Sequence, residues 1–178
     1  MLPAIKSQRL RMLLEHYLEA RGERRMPSRR DIDPTRLGPV LPIIWISEYE
    51  PAADTFRYRL AGEEVNETWG RSIAGCLLSD FVLPERFRAT NESFLKVMRQ
   101  EMALLASGPV YRCNDRIGLG ERLVLPLASD GVTGDGLIGA THRELMVELD
   151  QATMSQQKAS YLPVDALGGA ARRAVGEG

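Results

Sequence analysis

The chain has little with which to make or break bonds. Among its 178 residues are two cysteines, Cys76 and Cys113, and two histidines, His16 and His142. Two cysteines in no metal-like spacing are too few for a disulfide framework. Two distant histidines, without a G-x-S-x-G or H-E-x-x-H pattern, leave no legible hydrolase triad and no zinc site. No catalytic residue, metal ligand or cofactor is therefore assigned. Charge of either sign is not in excess, the formal net charge being -1, so nucleic acid is not an expected partner. The longest apolar stretch, VLPIIWI, falls far short of a membrane span. The N-terminal MLPAIKSQRLRM meets charge at Lys6, before a secretory core can form. The cytoplasm is the expected compartment, and no membrane association is expected.

Two glycine-bearing stretches invite a phosphate reading and fail it. In GRSIAGCLLSDF, residues 70–81, the part GRSIAGCLL has no lysine and Ser/Thr following its second glycine, so it lacks the charge and the metal ligand of a phosphate loop. GLGERL, residues 118–123, lacks the third glycine of a dinucleotide fingerprint and precedes a strand. It reads as a hairpin turn.

What the sequence does have is a change of period. Residues 3–21 read as a helix, because Leu10, Leu13, Leu14, Tyr17 and Leu18 share one stripe while Arg9, Arg11, Glu15 and Glu19 fall elsewhere. The next stretch, RGERRMPSRRDIDPTR, carries six arginines against three acids and reads as a solvated linker. Asp33 and Pro34 look like the cap and first position of a short helix. IIWISEY is apolar on both faces at its start, as an interior strand should be. TFRYRLAG alternates, with Phe56, Tyr58 and Leu60 opposite Arg57 and Arg59. The two make a hairpin.

Beyond a short helix, EEVNETWG, the best internal helix is LPERFRATNESFLKVMRQEM, with Phe87, Phe94, Val97 and Met98 on one stripe. Thr90 and Asn91 interrupt that stripe and should meet a partner, water or ligand. Three strand-like runs follow, SGPVYRCN, ERLVLPLAS and GLIGATHREL. Leu123, Leu125 and Leu127 alternate to one side, and Pro126 belongs at a bulge or on a non-bonding side.

This order predicts an α+β fold with one antiparallel sheet and helices on one face. At RLAGEEVNETWGRSIAG, within the longer pattern MPSRRDIDP…LP.I…FRYRLAG…WGRSIAGCLLSDF, the chain resembles a PAS domain, and in particular a bacterial stand-alone PAS-like family, over roughly residues 26–145. The resemblance implies a five-stranded sheet of order 2-1-5-4-3 with helices enclosing a small cavity. It divides the chain into an N-terminal amphipathic helix (residues 1–25), a PAS-like domain (26–146) and a partly disordered tail (147–178). Light-sensing PAS domains place the reactive cysteine three residues past a glycine; here Cys76 follows Gly75 directly and Leu78 holds that place. Haem-binding ones use a histidine near the long helix, and residues 82–108 contain none.

The resemblance further implies a small-molecule pocket lined by Tyr58, Trp69, Phe87, Thr90, Asn91, Phe94, Met98 and Leu125, residues that would equally serve as ordinary core. PAS domains often dimerise through a helix N-terminal to the core. Leu10, Leu13, Leu14, Tyr17 and Leu18 thus either form a homodimer interface or pack on their own sheet. The function expected is non-catalytic sensing or regulation, with a small ligand or an unknown downstream protein partner and signalling by association. A ligand-free dimerisation module is one alternative, and a small α+β enzyme such as a hot-dog thioesterase or cone-shaped isomerase is another.

Overall fold

The computed structural model describes residues 5–113, 115–148 and 151–168. Its helices include α1 (Gln8–Arg21), α2 (Glu63–Trp69), α3 (Pro84–Arg99) and the single turn α4 (Gln151–Met154). Its strands are β1 (Ile44–Glu50), β2 (Thr55–Ala61), β3 (Met102–Cys113), β4 (Arg116–Leu127), β5 (Gly136–Glu148) and β6 (Lys158–Pro163). All pair antiparallel in one sheet of order β2-β1-β5-β4-β3-β6. The expected 2-1-5-4-3 order is there, but the sheet has six strands, not five. The sixth comes from the segment expected to be a loose tail: Lys158–Pro163 pairs along β3, from Met102↔Pro163 to Ser107↔Lys158. Val164 and Leu167 then bury against the α1 side. Most of LGGAARRAVGEG, residues 169–178, lies outside the described residues, as does the start of the expected first helix.

Strand alternation divides the core in two, because successive side chains point to opposite faces. On β1, Ile44 and Ile46 join one cluster and Trp45 the other. On β4, Leu123 and Leu125 face the first and Val124 the second. The first cluster lies under α1 and the short 3-10 turns at Pro34–Leu37 and Leu41–Ile43. The second lies under α2 and α3. Helical structure therefore covers both faces of the sheet, not one. Each interior strand is apolar in both phases and needs cover on both sides.

α1 is held down firmly. Leu10, Leu13 and Tyr17 have no exposed surface, and the Tyr17 hydroxyl donates to the Pro126 carbonyl at 2.7 Å. The buried Glu121 carboxylate accepts from the Lys6 and Ser7 backbone N–H groups, at 2.7 Å from Ser7 N, and so answers donors that the first turn leaves open. The arginine-rich stretch after α1 is a strap. Arg21, Arg24, Arg25, Arg29 and Arg36 pair with Asp165, Asp31, Glu101, Glu48 and Glu19. Met26 and Pro27 bond to the backbone of the β4–β5 turn at Gly131 and Ala128.

The register corrects two further local expectations. Residues 118–123, expected as a turn, run through the middle of β4, with a bulge between Leu119 and Gly120. Leu60 does not join Phe56 and Tyr58: a bulge in the β1–β2 ladder, opposite Ile46/Ser47, turns the strand's phase and leaves Leu60 exposed. Pro126, by contrast, is where its missing donor is harmless. The β3–β4 pairing ends at Leu104↔Val124, so at Pro126 the strand has a partner only on the β5 side. No helix among the described residues is long and apolar enough to cross a membrane.

Candidate functional site

α2 opens at Gly62, whose N–H donates to the Ile44 carbonyl at 2.8 Å. A Cβ there would lie 2.1 Å from the Leu41 carbonyl oxygen, which is why the strand can run straight from RLAG into the helix. Gly70 closes α2 in the left-handed conformation, φ 66°. The chain then crosses beneath Ile73 and Leu78, both buried, to Pro84, which starts α3 at its first position. These turns hold Trp69 and Phe81 over the sheet.

Below them runs a continuous series of aromatic contacts. Phe56 meets Phe94 edge-on at 6.0 Å, Phe94 stacks on Trp45 at 5.3 Å, and Trp45 meets Tyr58 at 5.3 Å. Tyr58 meets Phe81, and Phe81 meets Trp69, each at 5.0 Å; Trp69 meets Tyr111 at 5.9 Å. Trp45 has room because its cross-strand neighbour is Gly139, where a Cβ would sit 2.2 Å from the indole ring.

Between this series, α3 and the β3 side of the sheet is a cavity of about 170 Å³. Its apolar part is made by Trp69, Phe81, Phe94, Leu104 and Ala106. Its polar part is made by Arg86, Thr90 and Ser93 of α3, Tyr111 and Arg112 of β3, and Arg122 of β4. Met154, Gln157, Ala159 and Tyr161, from α4 to β6, complete the wall. Tyr161 is fastened to α3, its hydroxyl donating to Ser93 Oγ at 2.9 Å and its ring lying 3.9 Å below Lys96 Nζ.

The polar part is not internally satisfied. Arg122 is fixed: its Nε donates to Thr141 Oγ1 at 3.0 Å, its Nη2 donates to the Val110 carbonyl, and its guanidinium lies 4.9 Å from the Tyr111 ring centre. Tyr111 is buried, and its hydroxyl faces Arg122 and Thr141 without a well-aligned hydrogen bond to either. Burial holds its pKa above the ordinary phenol value, so it stays a neutral O–H donor. Arg112 Nε is likewise buried with no partner. Such an unpaired buried donor costs about 1–3 kcal/mol. Arg112 reaches one acid, Glu85, at 3.7 Å.

The structure distributes the residues expected to line a pocket between several places. Tyr58, Trp69, Thr90 and Phe94 line the cavity. Phe87 packs against the same aromatic cluster without reaching the wall, and Met98 is buried beside Gly134. Asn91 has a different task. Its Oδ1 accepts from Thr55 Oγ1 at 2.7 Å and its Nδ2 donates to the Asp54 carbonyl at 2.9 Å, clamping α3 to the β1–β2 turn. Leu125 lies on the other face of the sheet, under α1, because β4 alternates. Leu10, Leu13, Leu14 and Tyr17 of the α1 stripe belong to that same cluster, and Leu18 packs half-buried against it.

Sequence pattern alone does not single out the arginines or Tyr111. Arg122 has a usable signal, since the alternation that sends Leu123 and Leu125 one way sends Arg122 and Val124 the other. Tyr111 and Arg112 have none. A bulge between Pro109 and Tyr111 shifts the strand's phase, so that consecutive residues both reach the cavity.

A single antiparallel sheet with β5 and β4 at its centre, and α2 and α3 set over a small cavity, defines a ligand-sized α+β module. A sequence profile of the PAS domain matches residues 5–142, and the chain belongs to that family. PAS domains are sensory and regulatory in general and generally non-catalytic. Searches of curated proteins and of solved structures returned no match.

Proposed function

We propose that this PAS domain is a non-catalytic sensor whose ligand occupies the cavity between α3 and the sheet and whose signal leaves by association with a protein partner. The observation that carries this reading is a wall containing two buried donors without partners, Tyr111 Oη and Arg112 Nε, in a space of about 170 Å³. A cavity of about 150 Å³ suffices for a benzene-sized molecule. Part of the wall is β6, which lies beyond the matched residues 5–142. A bound molecule touching Tyr161 would be felt directly by the C-terminal strand, which forms one edge of the sheet.

Native mass spectrometry of the purified chain tests the reading. A mass excess that survives gentle ionisation and disappears on denaturation supports it; turnover of a substrate by the apo protein overturns it. Dimerisation through α1 is not favoured as a second reading, because Leu10, Leu13, Leu14 and Tyr17 are already buried within the chain.

A further inference from the structure

The cavity wall is chemically lopsided. Among the described residues it holds three arginines, Arg86, Arg112 and Arg122, and no aspartate or glutamate. Only Arg112 has an acid within ion-pair distance among the described residues, and that one, Glu85, is at 3.7 Å and more than half exposed. Arg122 is oriented by its bonds to Thr141 and Val110 and by the Tyr111 ring, so its charge is fixed beside the cavity. Of the two unpartnered groups, Arg112 Nε can only donate, and the neutral Tyr111 hydroxyl can donate as well as accept. The same space is also lined by aromatic rings, Trp69, Phe81 and Phe94, with Trp69 edge-on to Tyr111 at 5.9 Å.

Resting on the ligand-binding reading above, we propose that the ligand is a compact carboxylate. Its apolar body, of about benzene size, packs against Trp69, Phe81 and Phe94, and its carboxylate accepts from Arg112 and Tyr111 in the field of Arg86 and Arg122. A planar carboxylate suits this end because it offers two acceptor oxygens to a guanidinium fork and carries the charge the wall lacks. Arg112 exchanges its long contact with Glu85 for a direct one with the ligand. Thr90 supplies a hydroxyl on the facing helix.

The test is a matched-pair titration of the full chain with benzoate and benzamide, and with hexanoate and hexanamide, at constant ionic strength, read by tryptophan fluorescence and calorimetry. Each acid is expected to bind about tenfold or more tightly than its amide. Arg112→Met should abolish that preference by weakening the acid more than the amide, with folding checked by circular dichroism. Arg86→Met, in the first turn of α3, serves as the second variant and should reduce the preference in the same direction. Equal binding of acid and amide overturns the carboxylate assignment and leaves the ligand-binding reading standing. No binding of any of the four, even at about 10 mM, overturns both. Preserved preference in both variants shows that neither arginine reads the charge and overturns the placement of the carboxylate at Arg112.

Discussion

On the α1 side of the sheet, Leu10, Leu13, Leu123 and Leu125 pack without exposed surface, and the Tyr17 hydroxyl finds its carbonyl partner. On the α3 side, the same strands turn aromatic and polar residues toward a space they do not fill, and leave Tyr111 and Arg112 donors unpaired. Both faces are built by one two-residue repeat. The contrast is between a face packed closely under α1, where His16 Nδ1 is a buried atom without a partner, and a face that leaves a space. A filled core transmits any loss of volume as lost stability, whereas a cavity can take up a change of volume at little cost.

The largest expected effect comes from cutting into the filled face. Leu13→Ala should lower unfolding free energy by about 2–5 kcal/mol in a urea titration, and it should do so without altering the assembly state seen by light scattering. A change of assembly state with stability preserved would mean that the α1 stripe is an interface after all.

Adding volume should separate the faces further. Ala103 lies in the α1-side cluster and Ala106 in the cavity wall, three residues along the same strand. Ala103→Leu should cost about 1–3 kcal/mol through overpacking. Ala106→Leu should cost much less in stability and instead lower ligand affinity. Similar thermal melts for the two variants would erase the distinction.

Asn91 tests whether its polar atoms serve the fold or the ligand. Because it clamps Thr55 and Asp54, Asn91→Ala should destabilise by about 1–3 kcal/mol and leave ligand selectivity unchanged. A variant of wild-type stability with altered selectivity would place Asn91 in the site.

The smallest effect concerns His16, a polar exception on the α1 side. Its Nε2 accepts the Asp33 N–H at 2.9 Å, and burial, aided by Arg36, holds its pKa below the ordinary 6.5. The unfolded chain therefore takes up this proton first. His16 contributes its full stabilisation above pH 6.5, and the contribution is lost as pH falls below that value toward and through the folded-state pKa. Melting temperatures at neutral and mildly acidic pH should show this decline, and His16→Gln should flatten it.

Much of the fold is legible in the pattern of residues, for identifiable reasons. The β1–β2 hairpin, α1, α2 and α3 announce themselves by period, by Gly70 at the end of α2 and by Pro84 at the start of α3. β6 does not, because Lys158–Pro163 is mostly polar or half-exposed and draws its order from the edge of β3, a partner some fifty residues away. GLGERL misleads because glycines normally punctuate; in β4 they sit where backbone and side chains crowd, with His142 O 2.0 Å from a Cβ built on Gly120. Leu125 has the residue type of a pocket wall, yet its alternation with Leu123 puts it in the α1 cluster once that face is covered.

The sequence by itself determined the membership in the PAS family, the two-phase apolar strands that demand cover on both faces, and the lack of a catalytic motif. Those are local properties, written in spacing and residue type. Only the tertiary structure decided which face α1 would cover, which polar residues would meet in the cavity and which would be spent on clamps. Those outcomes depend on strand register, and the bulges at Pro109/Tyr111 and Leu119/Gly120 move side chains between faces in a way that no local pattern records.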